Sequence, residues 1–166
     1  MSKTLLVVDV QKGFVTPSSN HIVEPIRRLQ SRFENVAFAK FYNPESSPFR
    51  RFLDYHALSP NTGVAELAIE PCTSAFIFER PHYSAITPDL LAQLSRWEVE
   101  EVNLCGIATE ACVLATALDL FEEGIRPVVI RDLCASDRDS HFHDAAMELI
   151  EKLIGAKQVI SVREIT

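Results

Sequence analysis

Cys112 combines a residue type and a position that could carry nucleophilic chemistry. It lies near the start of the predicted helix 110–123, shortly after Thr109, whose hydroxyl is a suitable N-cap acceptor. The unpaired amides and the positive end of the helix dipole favour a thiolate there, and the same amides can bind an oxyanion. The alternative is that Cys112 is a small buried apolar residue, since free cysteine is among the most buried residue types.

Asp9 and Arg80 are charged candidates that follow predicted strands. Asp9 ends an apolar run, and burial of a carboxylate is unfavourable unless it is paired, so a role as general base beside a thiol would explain it. The alternative is an Asp that caps the next loop, with Gln11 and Lys12 in solvent. The Arg80 cation could hold Asp9 ionised, and the alternative is a surface arginine paired with Glu79.

Alternating strand and helix patterns supply the elements that must position these groups. Six apolar runs predict strands, and four amphipathic segments between them predict helices. The strands are 4–10, 35–41, 74–78, 101–105, 126–131 and 158–162, and the helices are 23–33, 88–97, 110–123 and 139–153. This order predicts one α/β domain over residues 1–166, a Rossmann-like three-layer α/β/α sandwich with a six-stranded, mostly parallel sheet. Ligands of such sheets lie outside the carboxyl ends of the strands.

Composition excludes several classes of protein. The 23 acidic and 16 basic residues give a net charge of −7, which argues against a nucleic-acid partner. No run approaches the roughly 18 apolar residues of a membrane span, and the first residues do not resemble a secretory signal, so we expect a cytoplasmic protein without a membrane partner. The 4 cysteines lack a Cys-x-x-Cys pair, which argues against a disulfide framework.

Several motifs resemble the isochorismatase-like cysteine hydrolase family, in order along nearly the whole chain. They are VVDVQKGF (7–14), ERPHYSAI (79–86), GIATEACVLATALDLFEEG (106–124) and RDLCAS (131–136). The resemblance implies a six-stranded parallel sheet and a catalytic triad of Asp9, the residue at Arg80 and Cys112. It also implies a cis peptide between Ile107 and Ala108, an oxyanion hole made by the amides of Ala108 and Cys112, and a homodimer or homotetramer.

One triad member departs from the family pattern, which has a lysine where this sequence has Arg80. Arginine keeps its proton at any working pH and has a broader, forked head, so the exchange is not conservative. The resemblance implies a cysteine-dependent hydrolase of a small-molecule amide-type C–N bond, with Cys112 as nucleophile and Asp9 as base. The alternative is a catalytically weakened or non-catalytic member that binds small molecules. The family also includes enzymes that cleave a vinyl ether without a covalent step.

The substrate pocket and the metal content are weaker predictions. We expect the pocket to be lined by Phe14, Tyr42, Asn43, Tyr83 and Ile107. Arg50 or Arg51 could bind a substrate carboxylate, with solvated surface arginines as the alternative. The nicotinamidase branch of the family has an Asp-x-His metal motif after the second strand, where this sequence reads YNPESSPF. Asp54 and His56 form such a pair without obvious partners, so we predict no metal and no cofactor.

Two further classes of protein fit the sequence poorly. A phosphoacceptor domain would use Asp9 at the strand end, but the adjacent acidic pair and the partner lysine of that chemistry are missing. A dinucleotide-binding enzyme would have a Gly-x-Gly-x-x-Gly turn after the first strand, where this sequence has DVQKGF.

Overall fold

The computed structural model describes residues 3–165, in which six strands form a single parallel sheet. The sheet order is β3-β2-β1-β4-β5-β6, and the neighbouring strands in this order are parallel to each other. The strands are β1 (Thr4–Val8), β2 (Asn35–Phe41), β3 (Phe76–Arg80), β4 (Glu101–Ile107), β5 (Arg126–Ala135) and β6 (Val159–Ile160). The predicted six-stranded α/β architecture is confirmed.

Helices cover both faces of the sheet because successive side chains of β1 point to opposite sides. Leu5 and Val7 pack towards α1, whereas Leu6 and Val8 pack towards α3, α4 and α5. The helices are α1 (Val23–Leu29), α2 (Pro48–Leu53), α3 (Pro88–Arg96), α4 (Leu114–Glu122) and α5 (Ser140–Ile154). The fully apolar β1 run therefore belongs to two separate cores.

The helix starts follow local sequence signals. Ser47 and Thr87 accept hydrogen bonds from the backbone of the following turn, and in each case proline follows at the first helical position, where its missing N–H costs nothing. Asp139 caps α5 in the same way, by accepting from the amide of His141. These caps fix where α2, α3 and α5 begin.

Strand ends differ from the predictions in ways that matter for the site. β1 ends at Val8, because Asp9 adopts the left-handed conformation with φ 52°. β3 runs through Glu79 and Arg80, which the sequence placed after the strand. β5 continues to Ala135, so that Asp132 lies within the strand, where its carboxylate accepts from Ser161 and Val162 on the neighbouring segment.

The order of the strands reverses between β1 and β4. The chain builds β1, β2 and β3 outwards in one direction, returns to the centre, and then builds β4, β5 and β6 in the other. The connections that leave the carboxyl ends of β1 and β4 therefore diverge to opposite sides and open a crevice. Asp9 follows β1 at this crevice, and the turn that holds Cys112 follows β4.

Gly106 allows β4 to approach β1 closely at this point. Its φ is 133°, and a Cβ atom there would lie 2.0 Å from the carbonyl oxygen of Val8. Only glycine fits both the backbone conformation and the space.

Candidate active site

Asp9 and Arg80 form a buried, two-pronged ion pair across the top of the sheet. Arg80 Nη2 donates to Asp9 Oδ2 at 2.8 Å, and Nη1 donates to Oδ1. The Asp9 side chain is 0% exposed and that of Arg80 is 1% exposed. Two of the three remaining guanidinium hydrogens are also used, because Nη2 donates to the Tyr83 carbonyl at 2.9 Å and Nε to the Ser84 carbonyl at 3.2 Å. A buried ion pair needs such additional hydrogen bonds to offset its loss of hydration.

The alternatives proposed for these two residues do not hold. Glu79 is an exposed residue that pairs with Lys40 on β2, and Arg80 points inwards instead. Gln11 is fully buried rather than solvated. Its side-chain amide donates to the carbonyls of Phe41 and Ala65 at 2.8 and 2.7 Å, and its Oε1 accepts from the Phe41 amide at 2.8 Å. Gln11 thus ties the segment after Asp9 to the end of β2, a role that the sequence analysis missed.

Cys112 lies in a single wide turn, Thr109–Val113, that joins β4 to α4. The amide of Val113 donates to the Ala108 carbonyl at 3.1 Å, an i→i+5 bond typical of a π-turn. The side chain of Cys112 interacts with both Asp9 and Arg80. The structure therefore brings all three predicted catalytic side chains together.

The helix start does not control the ionisation of Cys112 as expected. Burial raises the pKa of the Cys112 thiol well above its usual range, and the carboxylate of Asp9 raises it further, while Arg80 opposes both effects. The predicted lowering of the pKa is wrong, because the residue is 7% exposed and faces a negative charge. Burial and the neighbouring carboxylate therefore both favour the thiol form of Cys112.

Thr109 does not cap the helix. The N-cap position is Ala108, which has no side-chain acceptor, and the Thr109 hydroxyl is hydrogen bonded to His143 Nδ1 at 2.8 Å. Burial lowers the pKa of His143. This bond attaches the turn that holds Cys112 to α5.

The peptide bond between Ile107 and Ala108 is cis, at the position that the family resemblance implies. The Ala108 carbonyl accepts from the amides of Ala111 and Val113, both at 3.1 Å. Ala108 and Cys112 both line the cavity described next.

A cavity of about 410 Å³ opens above Cys112. Aromatic rings form much of its wall. The ring of Phe49 meets those of Phe41 and Tyr83 edge to face, with ring centroids 4.9 Å apart in both pairs. The ring of Phe14 lies 6.2 Å from that of Phe41. Tyr55 also lines the cavity, and burial together with nearby Asp137 raises its pKa to about 12. The volume suits a small molecule.

Sequence comparison places the chain in a family. A family model described as the isochorismatase domain matches residues 3–163, nearly the whole chain. The chain belongs to the isochorismatase family.

Relatives of this isochorismatase-family chain include proteins with named activities. It is 32% identical over 89 residues to the maleamate amidohydrolase of Pseudomonas putida, a match that covers 53% of this chain and 41% of the relative. It is 26% identical over 170 residues to the uncharacterised isochorismatase family protein YwoC of Bacillus subtilis, with 91% and 86% covered. The matches to the first relatives found span well under half of their lengths, for example 29% of the Xenopus laevis isochorismatase domain-containing protein 2.

Solved structures share the fold over nearly their full length. An isochorismatase-like hydrolase from Alkaliphilus metalliredigens superposes with a TM-score of 0.87 at 18% identity, covering 99% of this chain and 97% of that one. The pyrazinamidase of Pyrococcus horikoshii in complex with zinc gives 0.80 at 25% identity, covering 98% and 99%. The N-carbamoylsarcosine amidase of Thermoplasma acidophilum gives 0.79 at 22% identity, covering 97% and 95%.

The zinc in one of these structures raises the question of a metal in this isochorismatase-family chain. Asp54 Oδ1 and His56 Nε2 are 2.8 Å apart on the surface, and the Asp54 side chain is 97% exposed. Within residues 3–165 no group of three or more His, Cys, Asp or Glu side chains is arranged to hold a metal ion. Three protein ligands are the minimum of a catalytic zinc site, so the residues described do not fit one.

Two of the five predicted substrate-binding residues, Phe14 and Tyr83, line the cavity. Tyr42, Asn43 and Ile107 are not among its lining residues. Asn43 is fully buried, and its amide donates to the carbonyls of Tyr55 and Ala57 at 2.7 and 3.0 Å, so it shapes the loop and not the pocket surface. Ile107 is 0% exposed within the apolar core.

The predicted carboxylate clamp is also absent from the cavity wall. Arg50 donates to the Asn43 carbonyl at 3.0 Å and to the Ser59 hydroxyl at 2.6 Å, and Arg51 lies over the ring of Phe52. The polar groups that do line the cavity include four that the sequence analysis did not name for it: Tyr55, Glu110, Asp137 and Arg138. Asp137 and Arg138 lie in the loop after β5. The signal that could have indicated them is the rule that ligands lie outside the carboxyl ends of parallel strands.

Among residues 3–165, none of the helices has both the length and the apolar character that crossing a membrane requires.

Proposed function

We propose that the chain hydrolyses the C–N bond of a small amide, with Cys112 as nucleophile, Asp9 as general base and Arg80 as the cation that orients Asp9. The observation that carries this proposal is that the Cys112 side chain lines the cavity and interacts electrostatically with the buried Asp9–Arg80 pair. The similarity to a maleamate amidohydrolase, and to solved structures named as a pyrazinamidase and an N-carbamoylsarcosine amidase, supports an amide as the electrophile.

The reaction begins with the transfer of the Cys112 thiol proton to Asp9. The sulfur attacks the amide carbon, and the backbone amides of Ala108 and Cys112 stabilise the oxyanion. The tetrahedral intermediate collapses, the C–N bond breaks, and Asp9 returns the proton to the leaving amine. A water molecule then attacks the thioester carbon while Asp9 accepts its proton, and the acid product leaves as Cys112 is protonated again.

The raised pKa of Cys112 is compatible with this order of events. A thiol that stays protonated until substrate is bound needs a base within contact distance, and Asp9 meets that need. Each carboxylate oxygen has two lone-pair directions, so Asp9 can accept the thiol proton while Arg80 still occupies the other side. The guanidinium keeps its own proton throughout, which limits Arg80 to electrostatic and positioning roles.

A second candidate function follows from the same pair. Because Arg80 holds both Asp9 oxygens, the site could be fixed in a form that binds small amides without turnover. The two functions differ in turnover. Binding of a small amide to the wild type, measured by isothermal titration calorimetry, without release of product from any amide tested would support the binding protein.

The decisive experiment measures ammonia release from a panel of primary amides and ureides. The wild type should turn over at least one member, and Cys112→Ala should abolish that turnover with an unchanged circular dichroism spectrum. Cys134→Ala is the matched control, since Cys134 is also buried but does not line the cavity. Turnover retained by Cys112→Ala would remove the covalent mechanism.

The expected homodimer or homotetramer and the cytoplasmic location stay predictions. Exposed apolar side chains beside the cavity mouth, Phe52 at 68% and Leu53 at 61%, are compatible with a subunit contact. Light scattering on the purified chain tests the oligomeric state.

A further inference from the structure

Glu110 places a carboxylate in the wall of the cavity, in the same turn as Cys112. Its Oε1 accepts a hydrogen bond from the Ser136 hydroxyl at 2.7 Å, which fixes the orientation of the side chain. Its Oε2 is buried and, within residues 3–165, has no hydrogen-bond partner. The protein therefore holds one acceptor at the site that its own described residues leave unused.

An unused acceptor of this kind is unfavourable in the empty protein. Leaving a buried polar atom without a partner costs about 1–3 kcal/mol, and more when the group is charged. Only one other buried side-chain atom in the described chain lacks a partner, Arg50 Nε, and Arg50 does not line the cavity. Glu110 Oε2 has almost no accessible surface, so an N–H group of a ligand reaches it only by displacing the atoms that cover it, and it would then supply the missing bond.

The charges around the cavity also favour a ligand that brings positively charged N–H groups. The lining includes the carboxylates of Asp54, Glu110 and Asp137 against the single guanidinium of Arg138. The Asp9–Arg80 pair beneath contributes no net charge. The resulting field attracts cationic ligands and opposes anionic ones.

We propose that Glu110 determines substrate specificity by accepting a hydrogen bond from a second N–H group of the substrate, and that the preferred substrates are small amides carrying an ammonium or ureide N–H and no carboxylate. This inference rests on the proposed amide hydrolysis for its reaction. Its binding component does not, because the charge and the free acceptor act on any molecule that enters the cavity.

The first test uses the sulfur of Cys112 as a reporter and needs no turnover. In a Cys72→Ser background, which removes the partly exposed thiol, Cys112 is modified with 2-aminoethyl or 2-sulfonatoethyl methanethiosulfonate. Each rate is divided by the rate of the same reagent with a neutral model thiol. We expect the cationic reagent to be favoured, and Glu110→Gln to reduce the cation-to-anion ratio about tenfold, the size expected when one charged hydrogen bond is lost.

The matched control is Asp54→Asn, which removes the same charge from a side chain that is 97% exposed at the rim. It should change the ratio much less than Glu110→Gln, because exposed charges are screened. Equal effects of the two variants, or equal wild-type rates for the two reagents, would overturn the role of Glu110. Failure of both reagents to reach Cys112 would overturn this inference and the proposed function together.

The second test compares 4-(aminomethyl)benzamide with 4-carbamoylbenzoate, which differ in the charge opposite the amide. The cationic amide should have the higher kcat/KM, and Glu110→Gln should remove most of the difference, mainly through KM. If neither is hydrolysed but Cys112→Ala binds the cationic compound more tightly in a Glu110-dependent manner, the specificity stands and the hydrolase proposal fails. If both compounds are hydrolysed equally well, the hydrolase proposal stands and the proposed role of Glu110 in specificity fails.

Discussion

The buried pair of Asp9 and Arg80 makes a measurable prediction about stability. Arg80→Met removes the guanidinium but keeps an unbranched apolar side chain in its place. The Asp9 carboxylate, which is 0% exposed, then loses both donors. Because an uncompensated buried charge remains, we expect the free energy of unfolding to fall by about 3–5 kcal/mol.

The reverse change, Asp9→Asn, should be milder. Asparagine tolerates the left-handed backbone that Asp9 adopts, and Arg80 keeps its bonds to the carbonyls of Tyr83 and Ser84. We expect a loss of about 1.5–3 kcal/mol, the range for hydrogen bonds to charged groups. In the double variant no charge is left unpaired, so its loss should be smaller than the two single losses added together by at least about 1 kcal/mol.

The difference between the double loss and the summed single losses is the coupling energy of Asp9 and Arg80. It is measured by urea unfolding of the wild type, the two single variants and the double variant. Unfolding is followed by far-ultraviolet circular dichroism and by the fluorescence of Trp97, the only tryptophan. The exposed pair Lys12–Glu66 is a suitable control, since its side chains are 55% and 62% exposed. A cycle on that pair should give a far smaller coupling energy. Additive losses for Asp9 and Arg80, or equal coupling in the two cycles, would refute the reasoning.

Three other predictions concern separate parts of the molecule. Gly106→Ala places a methyl group against the Val8 carbonyl and should lower the free energy of unfolding by at least about 3 kcal/mol. Gly63→Ala is the control, because the space around Gly63 is open, and it should be nearly neutral in the same urea assay. Burial lowers the folded-state pKa of His143, so the unfolded chain binds the extra proton first and stability should fall as the pH drops below about 6.5. His143→Gln should flatten that slope, and an unchanged slope would contradict the assignment. The rate of Cys112 alkylation by iodoacetamide should keep rising beyond the pH at which a model thiol levels off, because the thiol pKa is raised; an early plateau would argue against that environment.

The fold was predictable because its signals are local. A run such as Leu5–Val8 is apolar at every position, which is typical of a parallel strand between two layers, and all four residues are completely buried. The ends of strands were less predictable. Asp9 leaves β1 through a left-handed conformation, and a single sequence gives no direct signal for that choice.

The site was predictable as a set of residues but not in its electrostatics. Asp9, Arg80 and Cys112 each follow or end a strand, and parallel strands bring such positions to one edge. The ionisation of Cys112 depends on burial and on a carboxylate more than a hundred positions away in the chain, so the helix-start rule gave the wrong direction. Thr109 was misassigned for a similar reason, since its partner His143 lies on another helix.

The segment that closes the cavity has a small apolar cluster of its own, formed by Phe41, Phe49 and Leu58 with Phe14 and Tyr55 against it. This cluster is separate from the two cores that hold the sheet. Laboratory evolution that replaces side chains between Phe49 and Leu58 can therefore change the shape of the cavity entrance with little loss of stability in the rest of the domain. Libraries confined to this stretch should yield a high proportion of folded clones with altered substrate preference.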